Sequence, residues 1–122
     1  MTGIKVIFGG AMISTNRVFK GKDDLEALLA SLKKYGVKAI DTVQSYGDCE
    51  QMLGSVNARS QFIIDTKWKS GIVPRSPTKE NIIATAEESV NKLKMDKVRT
   101  YLLSPPFLVP TCSHQMTLPL TD

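Results

Sequence analysis

Four short apolar runs, separated by segments of helical periodicity, constrain this chain more than any other feature of its sequence. The runs are K-V-I-F at Lys5 to Phe8, V-K-A-I at Val37 to Ile40, the stretch F-I-I-D-T-K-W opening at Phe62 to Ile64, and Val98 to Leu103. Between the first two, Leu25, Leu28, Leu29 and Leu32 fall at i, i+3, i+4 and i+7, which lays one apolar stripe along a helix. A brief helical segment is expected near Cys49 to Leu53. A longer one carries Ile83, Ala86, Val90 and Leu93 and should end near Met95. Strands that alternate with helices predict parallel βαβ units, because a parallel neighbour is reached only through a crossover.

Local signals sharpen the boundaries. Asp23 and Asp24 suit the positive N-terminal end of the first helix, and Lys33 and Lys34 suit its C-terminal end. Gly36 is placed as its stop, and Ser76 before Pro77 fits a cap and first-turn pair for the last helix. From Ser104 to Asp122 the periodicity is lost, and Pro105, Pro106, Pro110 and Pro119 rule out a regular helix or a central strand. The expected organisation is one α/β unit over residues 1–107, with four parallel strands and about three helices, followed by an irregular tail over 108–122.

Bulk properties narrow the function classes. The chain has 122 residues, enough for one small domain with one core. Its net charge is +4, but the lysines are dispersed and no basic run interleaves with aromatics, which argues against nucleic acid as a partner. Excess positive charge is compatible with an anionic ligand such as a phosphorylated cofactor. Cys49 and Cys112 form neither a metal-ligand spacing nor a disulfide framework, so no metal is expected. The apolar stretch Val6 to Ile13 is short and broken by Gly9 and Gly10, unlike a membrane span or a signal peptide. A cytoplasmic location is the default expectation.

In parallel α/β folds ligands bind at the carboxyl ends of the strands. The second strand runs into D-T-V-Q-S-Y-G, with Asp41 and Tyr46; the third ends in D-T-K-W, with Lys67 and Trp68; the fourth ends in Y-L-L-S, with Ser104. An acid, a phenol and an amine are thus expected at one face. A free phenol, with a pKa of about 10, is a slow proton donor at neutral pH, and a neighbouring ammonium favours its ionised form. An aspartate beside that ammonium would hold it charged. Such a phenol can protonate a carbonyl oxygen. Each residue has a structural alternative as well: Tyr46 as a loop tyrosine over apolar surface, Asp41 as a helix cap, Lys67 as a solvated lysine.

The stretch K-A-I-D-T-V-Q-S-Y-G-D-C-E-Q-M-L-G, Lys38 to Gly54, resembles the D-T-A-x-x-Y-G-x-(S)-E-x-x-L-G signature of aldo-keto reductases. F-I-I-D-T-K-W resembles the strand that carries the family's lysine. L-K-M-D-K-V-R-T-Y-L-L, Leu93 to Leu103, resembles the approach to the family's histidine, and I-F-G-G-A-M its first strand and loop. The likeness spans roughly residues 4 to 107 and is nearest to the aflatoxin-aldehyde-reductase branch and its fungal relatives.

The resemblance implies a partial (β/α)8 TIM barrel and NADPH-dependent reduction of an aldehyde or ketone. Tyr46 would be the proton donor, Lys67 would lower its pKa, and Asp41 would pair with the lysine close to the nicotinamide end of the cofactor. Ser104 stands where the family has a histidine and, with Trp68, would face the substrate. Serine can donate a hydrogen bond but does not titrate near neutrality. Fungal relatives suggest a secondary-metabolite or toxin pathway by analogy. A full barrel runs to roughly 250 residues, so this chain reads as an N-terminal half. The competing expectation is therefore an impaired remnant, or an interaction module that joins another half-barrel, a paralogue or itself.

Overall fold

The computed structural model describes residues 3–69, 78–97 and 101–104. Its regular elements are β1 (Ile7–Gly9), α1 (Lys22–Lys34), β2 (Ala39–Asp41), α2 (Cys49–Ser55), β3 (Ile63–Lys69), α3 (Lys79–Leu93) and β4 (Tyr101–Ser104), with short 3-10 turns at Gly10–Met12 and Ala58–Ser60. The four strands form one sheet in the order β1-β2-β3-β4, and every neighbouring pair is parallel. This is the open, partial (β/α) barrel that the alternation of runs and helices predicts.

Helix termination explains where the strands begin. The Gly36 amide donates to the Lys33 carbonyl (3.1 Å) and the Val37 amide to the Leu32 carbonyl (2.9 Å), with Gly36 at φ 76°. That pair of bonds is a Schellman motif. Val37 is thus taken up in closing α1, and β2 opens at Ala39 instead of Val37. Because Ala39 pairs with Ile7, the residues before Ile7 have no ladder partner, and β1 starts later than Lys5. The same two bonds close α3: Lys94 to Asn91 (3.2 Å) and Met95 to Val90 (3.0 Å). Here Lys94, a non-glycine residue, takes the left-handed position at φ 53°.

The start of α3 corrects the expectation of a Ser76–Pro77 cap. Thr78 is the N-cap, its hydroxyl accepting from the Asn81 amide at 3.2 Å. Ser76 and Pro77 themselves lie outside the described residues, as do Val98 to Thr100 and the segment 105–122 with its domain boundary.

The strands present two distinct faces. Phe8, Ile40, Ile64, Thr66, Trp68 and Tyr101 face the helices. Leu25, Leu29 and Leu32 of α1, Leu53 of α2 and Leu93 of α3 close the main core over Ile40 and Ile64. Trp68 and Tyr101 pack with Ala86 in a second cluster under α3. The buried face of α3 is partly polar, with Thr85 and Ser89 inside and Ile83 exposed. The register builds the opposite face in rungs: Ile7, Ala39 and Ile63, then Gly9, Asp41 and Asp65, with Lys67 beyond. Ile7 is 54% exposed and Ile63 42%, so no described element covers this face. No described helix is long and apolar enough to cross a membrane.

Candidate active site

Two carboxyl-end segments meet at the site. On the uncovered sheet face, the Lys67 ammonium of β3 reaches Asp41 at the end of β2, with Nζ 2.5 Å from Oδ2. The side chains retain 18% and 34% exposure, so the pair is sheltered but not sealed. At that depth each charge loses part of its hydration, and the partner replaces it.

Tyr46 sits on the loop from β2 to α2. Its amide donates to the Val43 carbonyl and its own carbonyl accepts from the Cys49 amide, both at 3.1 Å. The half-buried ring packs against the edge of the main core. Within the described residues the phenol makes no hydrogen bond, and no direct bond joins it to Lys67. A cleft of about 290 Å³ opens beside it, lined by Met12, Ser14, Asn16 and Arg17 from the β1–α1 loop and by Tyr46 and Gly47.

The tyrosine loop is anchored at several points. Asp48 Oδ1 accepts from the Ser14 hydroxyl (2.7 Å) and from the Thr15 amide (3.1 Å), clamping the two cleft-forming loops together. The bond from Ser14 is the main reason that the Asp48 carboxyl is held below the ordinary carboxylate range. At Gly47, with φ 59°, an added side chain would crowd Ser14 Oγ at 2.9 Å, so glycine lets the loops abut. Gln44 Nε2 donates to the Thr85 carbonyl (2.7 Å) and to Ser89 Oγ (2.8 Å), so buried Ser89 of α3 finds its partner on this loop, while the Thr85 hydroxyl donates to the Asn81 carbonyl within the helix. Buried Glu50 accepts from the Thr66 hydroxyl at 2.7 Å, tying α2 to the residue before Lys67. Thr42 donates to Cys49 Sγ (3.1 Å), which in turn donates to the Gly10 carbonyl (3.4 Å). Burial pushes this thiol up to about 11.

The structure joins Asp41 and Lys67 directly and sets Tyr46 on the next loop. Trp68 is elsewhere: it is 3% exposed on the helix side, against Ala86 and Tyr101, because a strand turns successive side chains to opposite faces. Ser104 ends β4, level with Lys69 of β3. Sequence reasoning passed over Ser14, Arg17, Gln44, Asp48 and Glu50. Gln44, Asp48 and Glu50 stand within the quoted signature, but their partners lie 16 to 45 residues away, and no local spacing reveals them. Among the described residues no group of three metal-ligating side chains comes together.

The sequence from residue 5 to 112 matches the model of the Aldo/keto reductase family. No curated protein matches the chain. Solved structures with the same fold include a putative aldo-keto reductase from Pseudomonas aeruginosa, at 20% identity and a TM-score of 0.69, covering 81% of this chain and 40% of that one. A thermostable aldo-keto reductase in complex with the inhibitor epalrestat is similar at 22% identity and a TM-score of 0.63, covering 89% and 42%. A putative 2,5-diketo-D-gluconic acid reductase B is similar at 25% identity and a TM-score of 0.56, covering 81% and 33%. The chain thus spans about two fifths or less of the length of these relatives. With the match running over most of its length, the chain belongs to the aldo/keto reductase family.

Proposed function

We propose that the chain carries the proton-donating part of an NADPH-dependent carbonyl reductase acting on small aldehydes or ketones. The contact between Lys67 and Asp41 carries this reading, because it sets a charged amine at the strand ends beside the loop of Tyr46. In this mechanism the Tyr46 phenol donates its proton to the carbonyl oxygen of the substrate. The Lys67 cation favours the phenolate that remains, and Asp41 keeps the lysine charged and oriented. NADPH, when bound, supplies the hydride to the carbonyl carbon. Asp41 suits the nicotinamide end of that cofactor: Lys67 occupies Oδ2, while Oδ1 accepts from no described residue and is open to a ribose or amide donor. Ser104 stands at the family's histidine position and would offer a hydroxyl donor to the carbonyl.

Family membership and the net charge of +4 support the choice of NADPH. The signature over Lys38 to Gly54 supports placement near the aflatoxin-aldehyde-reductase branch. A role in fungal secondary metabolism and a cytoplasmic location go with that branch. Consumption of NADPH with a panel of aldehydes tests the reading. Turnover in the parent chain that Tyr46→Phe lowers about 10²–10⁴-fold supports it. Full turnover in Tyr46→Phe removes the assignment.

A second reading is association with a further barrel segment, from a second copy or a paralogue. Among the described residues, the uncovered rung of Ile7 and Ile63 and the unpaired ladder edges of β1 and β4 favour it.

A further inference from the structure

Behind the sheet, on the face opposite Lys67, α2 holds a carboxylate that the proposed proton transfer does not use. Glu50 is 2% exposed. Its Oε1 accepts from the Thr66 hydroxyl at 2.7 Å, while Oε2 is buried with no hydrogen-bond partner among the described residues. The Tyr101 phenol, level with Thr66 on the next strand, is pushed up chiefly by its burial and next by the Glu50 carboxylate, which sets that charge close behind β3 and β4. Stability alone does not account for such a residue. A buried carboxylate oxygen without a donor is costly, and an apolar side chain of similar size would spare that cost.

The position of Glu50 ties it to the site instead. The start of α2 is held on several sides: Asp48 accepts from Ser14 and Thr15, and Cys49 donates to the Gly10 carbonyl and accepts from Thr42. Glu50 follows these two residues directly and is therefore a fixed point, four residues beyond Tyr46. Its bond ends on Thr66, the residue before Lys67, and successive strand residues point to opposite faces. We propose that Glu50 is a positioning residue for Lys67: through the Thr66 hydroxyl it fixes, from behind, the strand that holds the amine against Asp41. One peptide unit separates the anchored side chain from the residue that bears the amine. A slide or tilt of β3 at Thr66 thus moves the root of Lys67 and loosens its contact with Asp41. That contact and its support do not rest on Tyr46 as proton donor; only their consequence for turnover does.

The test uses the whole chain with isotope-labelled lysine and reads Lys67 by NMR, so an inactive chain leaves it intact. The two Hε protons of a lysine held in one orientation have different shifts, and they merge when the side chain rotates freely. The Lys67 signal is assigned by its loss in Lys67→Arg, and Asp41→Ala defines the released lysine. Two separate Hε signals are expected in the parent chain. Glu50→Gln should keep them, because the amide oxygen still accepts from Thr66. Glu50→Leu and Thr66→Val should both shift them to the merged signal of Asp41→Ala, with unfolding midpoints recorded on the same samples. Thr66→Val, which removes one hydroxyl and keeps the shape, decides the matter should Glu50→Leu fail to fold. The proposal is overturned if the parent signal already matches that of Asp41→Ala. It is also overturned if the two signals persist in Thr66→Val or in a folded Glu50→Leu, or if Glu50→Gln merges them as fully as Glu50→Leu.

Discussion

At the scale of single residues, the site depends on charges placed where water is partly excluded. Lys67→Met leaves Asp41 without its cation and, under the proposed mechanism, removes the amine that acts through Tyr46. We expect turnover to fall about 10²-fold or more, within the range for disabling a general acid, with a smaller change in KM. Asp48 behaves differently, because its role is to hold loops. Its carboxyl is held below its ordinary value chiefly by Ser14. A depressed folded-state value means that the clamp is fully present above the ordinary carboxylate range and is lost as pH falls through the folded value. An NMR titration should therefore show Ser14 and Thr15 shifting together only in the acid range, below about pH 4. Asp48→Asn should remove that transition while the chain stays folded. Cys49 has the opposite sense: raised to about 11, its thiol stays protonated at neutral pH. Alkylation at pH 8 followed by peptide mapping should find it unmodified until the chain is denatured.

Between elements, close approach sets what the sequence can tolerate. Gly54 of α2 faces α3 so closely that an added Cβ would overlap the Lys92 carbonyl oxygen. Backbone cannot move aside as a side chain can. Gly54→Ala should therefore cost at least the roughly 1–3 kcal/mol of an overpacked interior site, measured by denaturant unfolding. Lys94 offers the reverse case, a side-chain-bearing residue in the left-handed stop of α3. Lys94→Gly should gain about 1 kcal/mol by relieving that conformation, and an unchanged midpoint would contradict it. These elements also show what the sequence made legible. The stripe Leu25, Leu28, Leu29 and Leu32 marked the buried face of α1 because apolar spacing is itself the cause of burial. For α3 it held at Ala86 and Leu93 but not at Ile83, which is exposed, while Thr85 and Ser89 are inside. Ser89 bonds Gln44, 45 residues back, and periodicity carries no information about so distant a partner, while the Thr85 hydroxyl is satisfied within the helix by the Asn81 carbonyl. Trp68 shows a finer failure. It follows Lys67 directly, and in a strand one step reverses the face.

For the molecule as a whole, the sheet is parallel and open, with Asp41 and Lys67 on the face that no described element covers. Parallel sheets are ordinarily buried on both sides. Under the association reading, light scattering across a concentration series should detect a larger species, and Ile63→Glu should dissociate it; a monomer at all concentrations would contradict that reading. The meeting of Asp41 and Lys67 was legible because residues at the carboxyl ends of parallel strands share one end of the sheet. The clamp of Asp48 was not, because it depends on how two loops fold against each other. The central claim is that Tyr46 donates the proton and that Lys67 acts through it. A double-mutant cycle on the rate of NADPH-dependent aldehyde reduction tests this directly. Once Tyr46→Phe has removed the phenol, adding Lys67→Met should cost no further rate. If the two losses instead multiply, Lys67 works independently of Tyr46 and the account is contradicted.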